Sequence, residues 1–177
     1  MQYKVENNMC NAKSSRLLST WVKSPQIRGA KILVASACLP YVAPQIYKRL
    51  VAEADFVLLA CPEQEPATHY GKLASMIRSS KPKSITVVTI DGSPHCFALQ
   101  AAVNEAEYIL GEKVERKHYV VVDARELVEI KPEVIRVARY LSLVAKIVKN
   151  YPEILEELKR YSLEHRQAER LSKREKV

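Results

Sequence analysis

Residues 31–38 read KILVASAC, residues 55–61 read DFVLLAC, residues 84–91 read SITVVTID and residues 117–124 read KHYVVVDA. These four short runs are rich in β-branched and aliphatic residues, and they lack the polar alternation of a strand with one face in water. Segments with helical periodicity separate them, as in proteins built from parallel strands and crossover helices. We therefore predict a three-layer α/β domain, with a mostly parallel sheet of at least four strands and helices on both faces.

The two ends of the chain differ from this pattern. Near the N-terminus, SSRLLSTWVKS (14–24) is compatible with a short helix. After the fourth run, the pattern indicates two helices broken at Pro152, the first mostly buried and the second basic. The apolar stripe that predicts burial consists of Val134, Val137, Leu141, Val144 and Val148. We predict an N-terminal segment (1–30), an α/β domain (31–150) and a basic C-terminal helix (151–177) that extends the domain.

The positive charge of the chain is concentrated at its ends. The sequence has 28 Lys and Arg residues against 20 Asp and Glu residues, a formal net charge of +8. Residues 1–30 carry five of the cations and one acid, and residues 159–177 carry seven cations and three acids. The body between them is neutral and lacks the interleaved basic and aromatic residues that bind nucleic acids. We therefore do not expect a nucleic-acid partner.

Glycine is scarce, and this scarcity excludes one large class of sites. The four glycines are Gly29, Gly71, Gly92 and Gly111. They lie too far apart for a G-x-G-x-x-G or G-x-x-x-x-G-K-S/T motif, so we predict no nucleotide phosphate loop. No apolar run approaches the roughly 18 residues that span a bilayer, and the N-terminus lacks the apolar region of a signal peptide. We expect a soluble, cytoplasmic protein without a membrane span.

Residues with useful chemistry follow three of the four runs. Cys38 follows the first run, and Cys61 follows the second, with His69 opening the helix behind it. The residues that follow the third run are Asp91, Ser93, His95 and Cys96. Because ligands of an open parallel sheet bind at the carboxyl ends of its strands, we predict a site on this rim. Asp91 and Ser93 are its predicted cofactor contacts.

The three rim cysteines suggest a metal centre. Thiolates bind zinc and iron–sulfur clusters, so Cys38, Cys61 and Cys96 are candidate ligands of either. No C-x-x-C pair occurs, which excludes a zinc ribbon or a ferredoxin-type run. A cysteine at the end of a buried strand can equally serve as a small apolar side chain. Structural disulfides are not expected in a cytosolic protein.

Cys96 has a second possible role as a nucleophile. It falls in the first turn of a predicted helix, where free N–H groups and the helix dipole favour a thiolate. His95 is its neighbour in sequence, and His69 lies in the adjacent loop, so either imidazole is a candidate base. The spacing alone leaves three roles open for Cys96: a reactive thiol, a metal ligand or inert packing.

The first two runs and their connections also resemble a known family. Its pattern is a strand ending in Cys, a Pro that leads into a helix, an A-D-x-V-L-x-x-x-C strand and a Cys-His-Tyr segment. The matching stretches are ILVASAC (32–38) with Pro44, ADFVLLAC (54–61) and Thr68-His69-Tyr70-Gly71. Residues 31–111 thus resemble the small delta subunit of methyl-viologen-reducing hydrogenase, the partner of heterodisulfide reductase.

This resemblance implies an electron-transfer module with a cysteine-ligated [2Fe–2S] cluster. Cys38 and Cys61 match cysteine positions of the family pattern. Thr68 stands where the family has the Cys of Cys-His-Tyr, and no counterpart of its N-terminal cysteine-rich strand is found. Cys96 or Cys10 would therefore have to supply a missing ligand.

These observations lead to three hypotheses about function. The first is an accessory redox protein with a cysteine-ligated metal or iron–sulfur site that docks on a larger redox enzyme subunit. The second is a thiol-dependent enzyme that uses Cys96 with a nearby histidine. The third is a non-catalytic interaction subunit that has lost the metal centre and forms a homo-oligomer through its C-terminal helices.

Overall fold

The computed structural model describes residues 12–66 and 69–174. These residues form two compact units that divide after Pro132. The first unit holds the sheet, and the second unit is helical. The four apolar runs are strands of the first unit, as predicted.

The sheet has six strands in the spatial order β1-β3-β2-β4-β5-β6. Their bounds are β1 Lys13–Arg16, β2 Lys31–Ser36, β3 Phe56–Ala60, β4 Ser84–Ile90, β5 Arg116–Val122 and β6 Glu126–Ile130. All neighbouring strands are parallel except β5 and β6, which are antiparallel. The predicted mostly parallel sheet is therefore confirmed.

Helices cover both faces of this sheet. Those of the first unit are α1 Leu39–Val42, α2 Pro44–Ala52, α3 His69–Ser80 and α4 Pro94–Leu110. Because successive side chains of a strand point to opposite faces, Ile32 and Val34 pack in one apolar cluster with α3 and α4. Leu33 and Ala35 pack in a second cluster with α1 and α2. This double burial explains why the runs are continuously apolar, and it confirms the three-layer α/β fold.

The N-terminal part contributes to the same sheet. Ser14, Ser15 and Arg16 belong to β1, which pairs with β3, so the short helix considered for residues 14–24 is not formed at its start. Leu17 follows directly and is fully buried in the cluster under α3 and α4. Part of the segment predicted as residues 1–30 is thus an edge strand with its own core residue.

A tight hairpin after β5 adds the antiparallel strand β6. Asp123 and Ala124 both have positive φ, at 47° and 59°, and the N–H of Arg125 donates to the carbonyl of Val122. Two positive φ values at the central positions are what a type I′ turn requires. The turn reverses the chain and places β6 at the edge of the sheet.

The second unit contains more helices than the sequence pattern indicated. They are α5 Pro132–Ala138, which begins at the last residue of the first unit, α6 Leu141–Asn150, α7 Ile154–Tyr161 and α8 Leu163–Arg174. Breaks occur near Tyr140 and Ser162 as well as at Pro152. The break at Tyr140 divides the predicted apolar stripe, and Val134 and Leu141 are 53% and 79% exposed. The prediction of a single, mostly buried helix before Pro152 was therefore wrong.

The strand order creates a switch point beside β2. This strand pairs with β3 on one side and with β4 on the other. The chain runs from β2 to β3 and then crosses back to β4, so the connections after β2 and β4 leave in opposite directions. A crevice at the carboxyl ends of two such strands is where open α/β sheets bind ligands.

Candidate functional site

Ser36 and Cys96 meet at this switch point. Ser36 is the last residue of β2, and strand alternation places it on the same face as Ile32 and Val34, toward α4. Its Oγ lies 3.2 Å from the Sγ of Cys96 in the first turn of α4, and either atom can be the donor. The two residues are only 2% and 7% exposed. The predicted rim cysteine is thus held inside the protein against a serine that the sequence pattern did not single out.

The chain reaches Cys96 through a tight turn and a helix cap. Gly92 has a φ of 74°, a conformation that glycine adopts without strain. Ser93 is the N-cap of α4, and its Oγ accepts the N–H of Cys96 at 3.3 Å. Pro94 follows and has no N–H. The cap thus uses the N–H of Cys96, and Pro94 offers no donor to an anion; the cofactor contact predicted for Ser93 remains a prediction.

Asp91 extends the ladder between β4 and β5. Its N–H donates to the carbonyl of Val121 at 3.0 Å, so its backbone continues the pairing of the two strands. This places the residue at the carboxyl end of β4, on the predicted rim. A cofactor contact by its carboxylate likewise remains a prediction.

Cys38 lies two residues after Ser36 and precedes α1. Its side chain reaches solvent, whereas Cys61 is half-buried and Cys96 is buried, and all three thiols are free. Partial burial raises the pKa of the Cys38 thiol, and the nearby thiols of Cys96 and then Cys61 raise it further. Cys96 and Cys61 therefore lie close enough to Cys38 to raise the pKa of its thiol. We call the three residues the cysteine cluster.

A carboxylate holds the loop at Cys61. The N–H of Cys61 donates to Oε2 of Glu65 at 3.1 Å. In return, the carbonyl of Cys61 accepts the N–H groups of Gln64 and Glu65 at 2.9 and 3.0 Å. Both backbone groups of Cys61 are thus tied to the turn that follows β3.

The same carboxylate binds His69. The Nε2 of this buried imidazole lies 3.0 Å from Oε2 of Glu65, and Nη1 of Arg16 lies 3.4 Å from Oε1. Glu65 thereby joins β1, the end of β3 and the start of α3. Sequence reasoning missed Glu65 and Arg16, although the i, i+4 spacing of Glu65 and His69 is a signal for such a pair.

His95 faces solvent. It is 51% exposed on its side chain, and its Nδ1 lies 3.9 Å from Oε2 of the exposed Glu63. An ion pair of this kind contributes little to stability. Both predicted bases therefore have carboxylate partners, and neither imidazole has a described hydrogen bond to Cys96.

A buried polar network fixes α4 one turn beyond Cys96. Nε2 of Gln100 donates to Oγ1 of Thr89 at 3.0 Å and to the carbonyl of Tyr119 at 2.8 Å. Its Oε1 lies 2.7 Å from Nδ1 of His118. Since both amide hydrogens are used, Oε1 accepts from a protonated Nδ1 of the imidazole. These bonds to β4 and β5 set the register of α4 and hence the position of Cys96.

The described residues do not by themselves fit a metal centre. Within residues 12–66 and 69–174, no group of three or more His, Cys, Asp or Glu side chains is arranged to hold a metal ion. Cys10, the other ligand considered, lies outside the described residues. Ligation of zinc or a cluster by Cys38, Cys61 and Cys96 therefore remains a prediction.

A concave region lies at the opposite edge of the sheet. It has a volume of about 960 Å³ and surrounds the amino ends of β2 and β4. Its charged lining residues are Lys31, Arg49, Glu53, Asp55, Glu115, Arg116, Lys117 and Glu129. Partial burial and then the carboxylate of Glu129 raise the pKa of Tyr119 in its wall. The balance of charges selects no ligand class, and none of the predicted site residues lies there.

Comparisons with known proteins agree with the fold. Residues 24–176 match the family described as Rossmann-like domain. An uncharacterised protein of Archaeoglobus fulgidus is 30% identical over 99 residues, which cover 56% of this chain and 69% of the relative. No solved structure matches the chain. These findings do not include the delta subunit, so that resemblance remains a prediction. In the described part of the chain, none of the helices has the length and apolar character needed to cross a membrane.

Proposed function

The chain belongs to the Rossmann-like domain family, and we propose that it is an accessory redox protein that works through the cysteine cluster. The family supplies the fold, whereas the chemistry has to come from the residues at the switch point. Three free thiols at this edge are the chemical groups most readily oxidised and reduced there.

One observation supports this proposal above the others. Ser36 holds the sulfur of Cys96 at 3.2 Å, and Cys38 lies only two residues beyond Ser36 in the chain. The thiol of Cys38 is in turn affected electrostatically by Cys96 and by Cys61. A solvent-accessible thiol beside a buried one suits an exchange in which the first meets the substrate and the second completes the reaction.

The proposed reaction consists of two thiol–disulfide exchanges. The thiolate of Cys38, whose fraction grows with pH because the pKa of Cys38 is raised, attacks one sulfur of a small or protein disulfide, forms a mixed disulfide and releases the other sulfur as a thiolate. Cys96 then attacks the sulfur of Cys38 and releases the second thiolate. The Cys38–Cys96 pair loses two electrons and two protons, and the substrate disulfide gains them. A reducing cytoplasm, the predicted location, would return the pair to its thiol form.

This reaction can be tested on the purified, fully reduced protein. We expect incubation with oxidised glutathione to remove two free thiols per chain and to lower the mass by about 2 Da. Peptide mapping should find the new bond at Cys38, and Cys38→Ser should abolish it. Unchanged thiol content after oxidation, with no bond at Cys38, would refute the proposal. Stoichiometric iron in anaerobically purified protein would instead support the cluster-ligating form of the redox hypothesis.

The thiol-dependent enzyme is supported less well by the geometry. It requires an imidazole within hydrogen-bond reach of the Cys96 thiol, and among the described contacts neither His69 nor His95 makes a hydrogen bond to it. Cys96 itself is hydrogen-bonded to Ser36. We therefore do not propose a general-base role for either histidine.

We also propose that the second unit docks on a second copy of this chain, as the interaction hypothesis requires. Its large exposed apolar residues are Val134, Tyr140, Leu141, Leu143, Ile147, Tyr151, Ile154, Leu158, Tyr161, Leu163 and Leu171. Apolar side chains so numerous in a short helical unit favour a covered surface in the working assembly. Light scattering of the pure protein tests this proposal. A doubled mass that falls to the mass of one chain in Leu141→Ser and in Ile147→Ser would indicate a second copy. A single-chain mass would refute the docking of a second copy.

A further inference from the structure

Glu65 occupies an unusual place beside the cysteine cluster. Its side chain is mostly buried, and it accepts hydrogen bonds from Cys61, His69 and Arg16, which belong to three different elements. A buried carboxylate is costly unless it is hydrogen-bonded, and this one is bonded on both oxygens. The mostly buried carboxylate of Glu65 thus holds this loop through its hydrogen bonds.

The bonds at Glu65 restrain one cysteine more than the other two. The N–H of Cys61 is bound by the side chain of Glu65, and its carbonyl accepts from the backbone of Gln64 and Glu65. A displacement of Cys61 toward Cys38 would have to break this ring. The carbonyl of Cys38 likewise accepts the N–H groups of Tyr41 and Val42, but the side chain of Cys38 is exposed. The bond from Glu65 is therefore an additional restraint on the backbone of Cys61, and the exposed thiol of Cys38 is the one with more room to move.

Resting on the proposed function, we propose that Glu65 is a positioning residue that restrains Cys61 and thereby directs Cys38 to pair with Cys96. Cys38 has two cysteine neighbours, Cys61 after β3 and Cys96 in the first turn of α4, so without a restraint two disulfides would compete. The hydrogen bonds of Glu65 remove one of these choices. Glu65 would then determine the product of the exchange without touching the reacting sulfur atoms.

The pairing of Cys38 after oxidation measures this role directly. Reduced full-length protein is oxidised with oxidised glutathione, and the share of Cys38–Cys96 and Cys38–Cys61 peptides is quantified by mass spectrometry. We expect Cys38–Cys96 to dominate in the parent protein. In Glu65→Gln the ratio should shift about tenfold toward Cys38–Cys61, the factor given by losing one charged hydrogen bond. Glu65→Asp, which keeps the charge, should restore part of the original ratio.

Two further variants separate this role from charge and folding effects. Glu63→Gln removes a charge from the same loop without a bond to Cys61, and it should leave the ratio unchanged. Arg16→Gln weakens the support of Glu65 from an exposed position, and it should shift the ratio in the same direction by a smaller factor. Hydrogen exchange at the Cys61 amide should be faster in Glu65→Gln. Hydrogen exchange in Glu65→Gln therefore reports on the hydrogen bond between Glu65 and the Cys61 amide. If Glu65→Gln does not fold, the ratio of the two disulfides in Arg16→Gln tests the role of Glu65.

The outcomes distinguish this inference from the function on which it rests. An unchanged ratio in folded Glu65→Gln, or a parent protein that forms mainly Cys38–Cys61, would overturn the role of Glu65 and leave the redox function standing. Absence of any disulfide at Cys38 in the parent protein would overturn the redox function itself.

Discussion

The Oγ of Ser36 and the Sγ of Cys96 lie 3.2 Å apart although 60 positions separate them in the chain. The contact joins the end of β2 to the start of α4 across the switch point of the sheet. Both side chains are buried, so each satisfies a polar group of the other that water cannot reach. This contact makes Cys96 a fixed element of the site, around which the more exposed Cys38 can move.

Replacing Ser36 by alanine should destabilise the protein. The change leaves the buried thiol of Cys96 without its partner, and a lost hydrogen bond of this kind costs about 0.5–1.5 kcal/mol in the free energy of unfolding. Denaturant titration measures this loss. The double variant Ser36→Ala/Cys96→Ala should show a smaller cost than the sum of the two single changes, because the same contact is removed only once. Strict additivity would mean that the contact does not contribute.

The rate at which Cys38 is alkylated should rise at a higher pH than the rate for a free peptide thiol. Because partial burial and then the thiols of Cys96 and Cys61 raise the pKa of Cys38, its thiolate forms at a higher pH than that of a free peptide thiol. Alkylation of Cys38 by iodoacetamide, followed over pH in the Cys61→Ser background, should have its midpoint above that of such a peptide. Adding Cys96→Ser should move the midpoint down, since one source of negative charge is removed. A midpoint at or below the peptide value would contradict this account.

The same pKa shift has a consequence for stability. A folded-state pKa above the unfolded one means that the native protein retains the Cys38 proton to higher pH than the unfolded chain does. The stabilisation from Cys38 is present below the unfolded pKa and is lost as pH rises through the folded pKa. Alkaline denaturation profiles of Cys38→Ser should therefore be flatter over this range than those of the parent protein. An equally steep loss in both proteins would show that Cys38 does not contribute to it.

Replacing Gln100 by alanine should lower the free energy of unfolding far more than replacing an exposed glutamine. Gln100→Ala removes three buried hydrogen bonds, to Thr89, Tyr119 and His118, at the base of α4. We expect a loss on the order of 2–3 kcal/mol, because three buried hydrogen bonds are lost together. Gln167→Ala on exposed helix surface is the matched control and should stay within about 0.5 kcal/mol of the parent. Similar midpoints in urea for the two variants would refute the network.

Leu17 tests whether the chain before residue 30 belongs to the α/β domain. Its side chain is fully buried in the cluster with α3 and α4, whereas the adjacent Leu18 is only partly buried. Leu17→Ala should cost about 3–5 kcal/mol, the range for a buried leucine, and Leu18→Ala clearly less. Thermal and denaturant unfolding of both variants provide the comparison. Equal, small effects would mean that the N-terminal segment is a separate appendage.

Much of the sheet could be predicted because burial on both faces leaves a strong trace in sequence. Four continuous apolar runs gave four parallel strands at the predicted positions. The edge strands left no such trace. In β1 the residues are KSSR, and the turn before β6 places Ala124 at a positive φ, which alanine rarely adopts. Edge strands are defined by what they pair with, and pairing across distant residues is not visible in local composition.

The candidate site could also be predicted only in part from the sequence. Cys38, Cys61 and Cys96 could be placed on one rim because strands of a parallel sheet end on one side. The partners of those side chains depend on strand order, on which face a residue occupies and on the path of each loop. The carboxylate of Glu65 is the observed partner of His69, and the hydroxyl of Ser36 is the observed partner of Cys96, and spacing alone establishes neither contact.

The short strand β1 also has a consequence for how the protein behaves in a crowded solution. It covers the edge of β3, whose residues Phe56–Ala60 are all apolar, with four polar residues that include Lys13 and Arg16. A sheet that ended at β3 would offer an apolar, unpaired edge, the template on which strands of other molecules add. Lysine and arginine on a short outer strand discourage such growth. Residues 13–16 therefore protect the protein against edge-to-edge aggregation.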